Sequence, residues 1–302
     1  MWTRLVVAGL CLMAIGGCKA KFWDDDLEDQ MPFITVPIKA TPSQGVEALR
    51  RLDPALSVPA MTPGAGDPLT PPGLITFRRI DAGSGMAGVM PNEPGREPGD
   101  TWQGYAVARY WLGVTELTRA QWTSLAVAGG HVDQAMLSPW LTTEPIDQAG
   151  GGANQPRLPA VNLSRDLVNR VLADWNRAAA GIASLRLPTP TEWEHACRSG
   201  SVGPYPWGEG DPNLARAFAV VRETRVQIGP TVVAQGRQPN ALGLWDMQGN
   251  VWELVATTGP DAELRGGSWR DNLISARAGN RQRLDRGLAH ALAGVRLVLE
   301  AP

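Results

Sequence analysis

Few side chains in this sequence are of a type and spacing that supports chemistry, and the densest group lies near residue 250. Asp246 and Glu253 stand seven positions apart with only backbone carbonyls and neutral side chains between them. Oxygen donors of this kind suit Ca2+, which takes about six to eight oxygens in flexible geometry. A capped turn carrying two exposed acids has the same spacing. The histidines, His131, His195 and His290, are too scattered to offer the two-His-one-carboxylate pattern of a transition-metal site. Glu192, Glu194 and Glu253 each adjoin a Trp, which fits either buried acceptors for N–H donors or paired acid–base carboxylates. Arg186 and Arg296 have the fixed donor fork of a buried ion-pair or carbonyl-binding partner. Cys197 lies in a helical segment, where a lone thiol facing a core is inert packing.

Helices and turns must hold these groups in place. Thr118 with Gln121 is spaced as a capping box opening a helix over 119–128, with Trp122 and Leu125 on one face. Ser164 can cap a helix over 165–175, where Leu167, Val168, Val171, Leu172 and Trp175 recur at helical spacing. Thr189-Pro190-Thr191-Glu192 combines a capping residue, Pro at the first helical position and Glu at the third, and predicts a helix to Arg198. A strand is expected over 296–299. With 34 Gly and 25 Pro in 302 residues, the rest should be short strands and irregular backbone. The class is therefore α+β, loop-rich, with short sheets and a few helices.

Composition narrows the partners. The chain carries 28 Lys+Arg, 30 Asp+Glu and a formal net charge of −2, without the basic excess of a nucleic-acid binder. A hydrophobic content of 43% excludes wholesale disorder, and three cysteines exclude a disulfide framework. Residues 1–17 have the pattern of a secretory signal: Arg4, an apolar run, then small residues. Ile15-Gly16-Gly17-Cys18 resembles a bacterial lipobox, which implies cleavage before Cys18 and lipidation of its thiol. Lys19 after the cysteine leans, by resemblance to other lipoproteins, towards the periplasmic face of the outer membrane. Residues 18–72 form a tether with an acidic run (Asp24, Asp25, Asp26, Glu28, Asp29), a possible short helix over 46–52 and a Pro-rich stretch. Residues 73–302 have the texture of one globular domain.

Within that domain the motifs occur in a specific order. Phe77-Arg78-Arg79-Ile80 precedes Val114-Thr115-Glu116-Leu117-Thr118, then Arg186-Leu187-Pro188-Thr189-Pro190-Thr191-Glu192-Trp193-Glu194 and Pro206-Trp207-Gly208. Gly243-Leu244-Trp245-Asp246-Met247-Gln248-Gly249-Asn250-Val251-Trp252-Glu253 follows, then Arg265-Gly266-Gly267-Ser268-Trp269 and Gly294-Val295-Arg296. Together these resemble the formylglycine-generating enzyme, or sulfatase-modifying factor, family. The resemblance implies a variant of the C-type-lectin-like fold. It also implies a structural Ca2+ held by the side chains of Asp246 and Glu253 and the carbonyls of Gly249 and Val251.

The same resemblance limits the activity. Enzymes of the family oxidise a substrate cysteine with copper held by two cysteines shortly after the Gly-Gly-Ser-aromatic motif. Asp271 and Ala276 stand at those positions here, and neither replaces a thiolate as a ligand for soft copper(I), so no copper is expected. Two readings follow. The first is a non-catalytic, membrane-anchored binding or regulatory protein with an envelope protein partner. By resemblance to cysteine-less relatives, that partner is a transmembrane Ser/Thr kinase or a type VI secretion-like machine. Its binding candidates are Arg270, Asp271, Arg277, Asn280, Arg281 and Arg283. The second is a cysteine-independent oxidoreductase, or an enzyme of the siderophore-maturation type, with Asp271 as general base.

Overall fold

Trp193 and Trp122 are both completely buried, and the elements of the fold are arranged around them. The computed structural model describes residues 33–38, 74–128, 157–179, 183–226, 229–231, 233–234 and 236–300. The signal-like segment, Cys18, the 46–52 helix expectation, the Pro-rich stretch and His131 lie outside the described residues.

Strands β1 (Phe33–Pro37), β2 (Leu74–Ile80), β5 (Tyr110–Gly113), β11 (Val298–Glu300) and β6 (Ser184–Arg186) form a five-stranded sheet in that order. A four-stranded sheet runs β10 (Ala293–Val295), β7 (Trp252–Val255), β8 (Asp261–Arg265) and β9 (Gln282–Asp285). A separate ribbon pairs β3 (Gly83–Gly88) with β4 (Trp102–Val107).

The helices begin where the sequence signals them. Thr118 and Gln121 close a reciprocal cap, the Thr118 amide donating to Gln121 Oε1 (2.8 Å) and the Gln121 amide to Thr118 Oγ1 (3.2 Å), ahead of α1 (Arg119–Ala128). Ser164 caps α2 (Arg165–Ala178), accepting from the Leu167 amide; the helix runs one turn beyond the expected 175. It buries Val168, Val171, Leu172 and Trp175, and an aliphatic side chain so buried contributes about 1.5–3 kcal/mol. Thr189 and Glu192 form the capping box of α3 (Pro190–Arg198). A further helix, α4 (Pro212–Phe218), was not foreseen, although Asp211-Pro212 follows the same grammar: a capping carboxylate that accepts from the Asn213 amide, then Pro in the first turn.

The strand expected over 296–299 begins two residues later, as β11, and a second short strand, β10, lies just ahead of it. β10 runs parallel to β7 in one sheet, and β11 pairs with β5 and β6 in the other. The chain crosses between sheets at Arg296, whose guanidinium turns into the interior and is completely buried. Beside this crossing, Trp193, Cys197, Leu244, Met247, Val255 and Val298 pack as one core cluster. Among the described residues, no helix is long and apolar enough to cross a membrane.

Candidate functional site

The Asp246–Glu253 segment is interior. Asp246, Gln248, Asn250 and Glu253 are all buried, so the alternative of two exposed acids on a turn does not hold. Asp246 and Asn250 take left-handed φ of 56° and 58°, which Asp and Asn tolerate better than most side chains. Gly249, at φ 80°, has no such freedom to change: a Cβ there would lie 2.1 Å from the Val220 carbonyl oxygen.

Glu253 is fully engaged. Arg296 Nη2 donates to its Oε1 at 2.7 Å and Arg296 Nε to both oxygens, while Trp193 Nε1 donates to Oε2 at 2.6 Å. The remaining guanidinium N–H groups reach the carbonyls of Gly113 (2.9 Å) and Trp245 (2.7 Å). One residue thereby ties β5, β7 and the 245 loop together. Burial works against the Arg296 charge, but Glu253, Glu116 and Asp246 outweigh it and hold the guanidinium protonated.

Glu116 is the member of this group to which the sequence assigned no role. It accepts from Asn250 Nδ2 (2.7 Å) and from the Val251 amide (3.1 Å), and so fixes the middle of the loop. Its sequence signal was its place in the Val114–Thr118 motif, 134 residues from its partner. Burial pushes the Glu116 carboxyl well above its ordinary range, and Asp246 and Glu253 add to the rise. Burial likewise raises Asp246 to about 6, against the lowering effect of the Ala234 amide that donates to its Oδ2 at 2.6 Å. The Arg296 guanidinium thus pairs directly with Glu253 and is also favoured by the nearby Glu116 and Asp246.

For a cation, this donor set is half formed. Asp246 Oδ1 is buried with no hydrogen-bond partner, the kind of atom a bound cation would satisfy. Glu253, by contrast, already serves Arg296 and Trp193 with both oxygens. Among the described residues, no three His, Cys, Asp or Glu side chains are grouped as a metal centre.

Asp271 is an organiser of the turn after Gly266-Gly267. Its Oδ2 accepts from Ser268 Oγ (2.5 Å), the Ser268 amide (3.1 Å) and Trp252 Nε1 (2.8 Å). Its carbonyl accepts from the Arg222 amide. Trp193 and Trp252 thus donate to carboxylates, where loop carbonyls are the commoner acceptors. Ala276 ends a 3-10 turn (Leu273–Ala276) and is completely buried with Ala219 and Val221, with Trp207 and Leu273 packed against them. Trp207 is itself stacked between Tyr205 and Phe218, with ring centroids 4.8 and 5.4 Å away.

The other five surface candidates separate into two sets. Arg277 is buried, pairing with Glu93 at 2.9 Å and donating to the Gly95 carbonyl, and Asn280 donates to the Ser275 carbonyl. These two hold loops. Arg270, Arg281 and Arg283 are exposed, Arg281 lying 3.8 Å from Asp100.

Other groups are structural. Glu194 links α3 to the ribbon and to β8: its Oε1 takes the Gly88 amide (2.7 Å) and Arg198 (2.7 Å), and its Oε2 takes Arg265 (3.3 Å). Glu192 accepts two N–H groups of the partly exposed Arg186, which also pairs with Glu300. His195 is half-buried with Nδ1 2.7 Å from the Tyr105 hydroxyl. Cys197 is completely buried, accepts from Gln248 Nε2, and burial pushes its thiol pKa far up. It is an inert thiol.

Comparisons with known proteins agree with this geometry. The family model described as "Sulfatase-modifying factor enzyme 1-like domain" matches residues 69–301. Over 146 residues the chain is 34% identical to the "Inactive C-alpha-formylglycine-generating enzyme 2" of Mus musculus, covering 42% of this chain and 43% of that protein. Over 90 residues it is 38% identical to the "Formylglycine-generating enzyme" of Mycobacterium tuberculosis, covering 26% and 29%. The chain therefore aligns with less than half the length of these curated relatives. In structure it is similar to Treponema denticola variable protein 1 (TM-score 0.59, 18% identity, 80% of this chain and 98% of that one). It is also similar to PvdO from Pseudomonas aeruginosa (TM-score 0.58, 22% identity, 75% and 94%). At such identities these two show the fold alone. The matched span and the fold together place this chain in the sulfatase-modifying factor family, to which the formylglycine-generating enzymes belong.

Proposed function

We propose that this protein is a non-catalytic binding or regulatory member of its family, held at the bacterial cell envelope through Cys18. One observation carries the non-catalytic part. At the two positions where the resemblance puts copper-binding cysteines, Asp271 is fixed by three hydrogen bonds as a turn organiser and Ala276 is a buried methyl group. Neither group is poised to ligate copper(I), and an Asp271 oxygen already accepting three hydrogen bonds is a poor general base. The likeness to a relative named inactive supports the same reading.

The exposed Arg270, Arg281 and Arg283 are the contacts we assign to an envelope protein partner, of the kind represented by a transmembrane Ser/Thr kinase or a secretion machine. Two labelling experiments test the proposal. Radiolabelled palmitate should enter the wild-type chain and not C18S. Cross-linking in envelopes should give one stoichiometric adduct that R281A/R283A loses; an adduct indifferent to that change removes these residues from the contact.

Calcium belongs to the same proposal. Asp246 with the carbonyls of Gly249 and Val251 would hold it, beside Glu253, and it would stiffen the loop by satisfying Asp246 Oδ1. Added Ca2+ should raise the melting temperature of the wild type and leave that of D246A unchanged.

A further inference from the structure

The two ends of the four-stranded sheet are finished differently. At β10 the outer edge is closed: Ala293 and Val295 are completely buried, and the Val295 carbonyl accepts from the Leu117 amide at 2.8 Å. The five-stranded sheet is closed in the same way at β6, where Asn176 of α2 accepts from the Leu185 amide (2.7 Å) and donates to its carbonyl (2.9 Å). β9 is left open. It pairs with β8 alone, and Gln282, Arg283 and Asp285 are exposed. Among the described residues, no backbone group of 282–284 has a hydrogen-bond partner outside β8. An unpaired edge of this kind is a template for a further strand.

Charge and register select the strand that fits. Asp285 stands opposite Asp261, and Arg283 opposite Glu263. Glu263 is held by Arg265 at 2.7 Å, and among the described residues Arg283 forms no ion pair. Asp285 faces a like charge, which is unfavourable across strands. Side chains alternate faces, so Arg283 and Asp285 share one face and Leu284 takes the other, half-buried against the main core. An antiparallel neighbour on the open side therefore needs an acid opposite Arg283, an apolar residue opposite Leu284 and a base opposite Asp285. Read in the antiparallel sense, Arg283-Leu284-Asp285 is itself that sequence.

We propose that two copies of this chain pair through β9, antiparallel, about a two-fold axis at Leu284. Arg283 of each copy then lies opposite Asp285 of the other, and the two Leu284 side chains meet on the core face. The contact is isologous and closes at two copies, joining their four-stranded sheets into one. Leu288, 57% exposed in the turn that ends β9, adds apolar surface beside the seam. Arg270 and Arg281 lie outside β9 and stay available to an envelope partner. The pairing needs neither that partner nor the anchor at Cys18. A seam this short belongs with the small interfaces, below about 1,200 Å2, and its dissociation constant is on the order of micromolar or weaker.

Sedimentation of the full chain at roughly 0.2 mM, well above that range, in a density-matched non-ionic detergent tests the pairing. The wild type should sediment as a dimer. R283E sets acid against Asp285 in both contacts and should be a monomer, as should D285R, which sets base against Arg283. Mixed in equal amounts, the two variants should form a heterodimer, because each then meets only opposite charge. D285R gives up the bond from the Gly287 amide, whereas Arg283 has no ion pair to lose, so R283E is decisive even where D285R is less stable. A wild-type monomer at this concentration overturns the proposal and leaves the edge to a different protein's strand. So does a dimer indifferent to R283E, or a mixture that stays monomeric while near-UV circular dichroism shows both variants folded. No partner protein is in the sample, so failure here is separable from failure of cross-linking in envelopes.

Discussion

Arg296 and Glu253 form a completely buried, two-pronged ion pair, with Nη2 2.7 Å from Oε1 and Nε 3.0 Å from Oε2. The pair sits where the chain passes from one sheet to the other, and it neutralises one of three buried carboxylates. Removing only the cation leaves Glu253 a buried carboxylate without its ion-pair partner. R296M should therefore cost about 3–5 kcal/mol, measured by urea unfolding at neutral pH. R296M/E253Q should recover part of the loss, because fewer buried charges then remain. Unfolding of R296M at the wild-type midpoint would show that the pair is not a keystone of the fold.

Asp271 should behave as a structural residue. In D271A the Trp252 indole and the buried Ser268 amide and hydroxyl lose their acceptor. Each buried donor left unsatisfied costs about 1–3 kcal/mol, so the unfolding midpoint should fall clearly. D271N keeps an acceptor oxygen and should fall less. An unchanged midpoint in D271A would remove the turn-organising role.

The ribbon of β3 and β4 should loosen in acid. His195 lies half-buried against Tyr105, and burial lowers its pKa below the ordinary 6.5. The native state then binds fewer protons at this site than the unfolded chain. Its stabilising effect is complete above pH 6.5 and is lost as the pH falls through the lowered value. His290 is lowered in the same direction by burial, with Asp271 opposing, so the test compares variants. The melting temperature of H195Q, whose amide can still accept from Tyr105, should fall less between pH 7.5 and 5 than that of the wild type. Superimposable profiles would contradict the assignment.

What could be read from the sequence was local. The caps at Thr118, Ser164 and Thr189 announced three helices because a cap and its helix are adjacent in the chain. The Arg296 crossing was missed because one apolar run serves two sheets, which no local pattern separates. The carboxylate cluster was half legible. Asp246 and Glu253 stood out by type and spacing, but the acceptor that organises their loop, Glu116, comes from 134 residues away. The carboxylate partners of the Trp193 and Trp252 indoles depend on tertiary proximity alone. That Asp271 and Ala276 stand where the resemblance puts cysteines could be read by position, whereas the hydrogen-bonded turn and the apolar cluster that hold them required the structure.

The central claim is that the fold has been kept without the oxidase chemistry of its relatives. Its most direct test is titration of the purified chain with copper(I), followed by aldehyde detection after incubation with oxygen and a cysteine-containing sulfatase peptide. The account predicts no stoichiometric tight copper(I) site and no aldehyde above the copper-only background. Tight copper(I) binding at one equivalent, with peptide aldehyde accumulating over many turnovers, would contradict it.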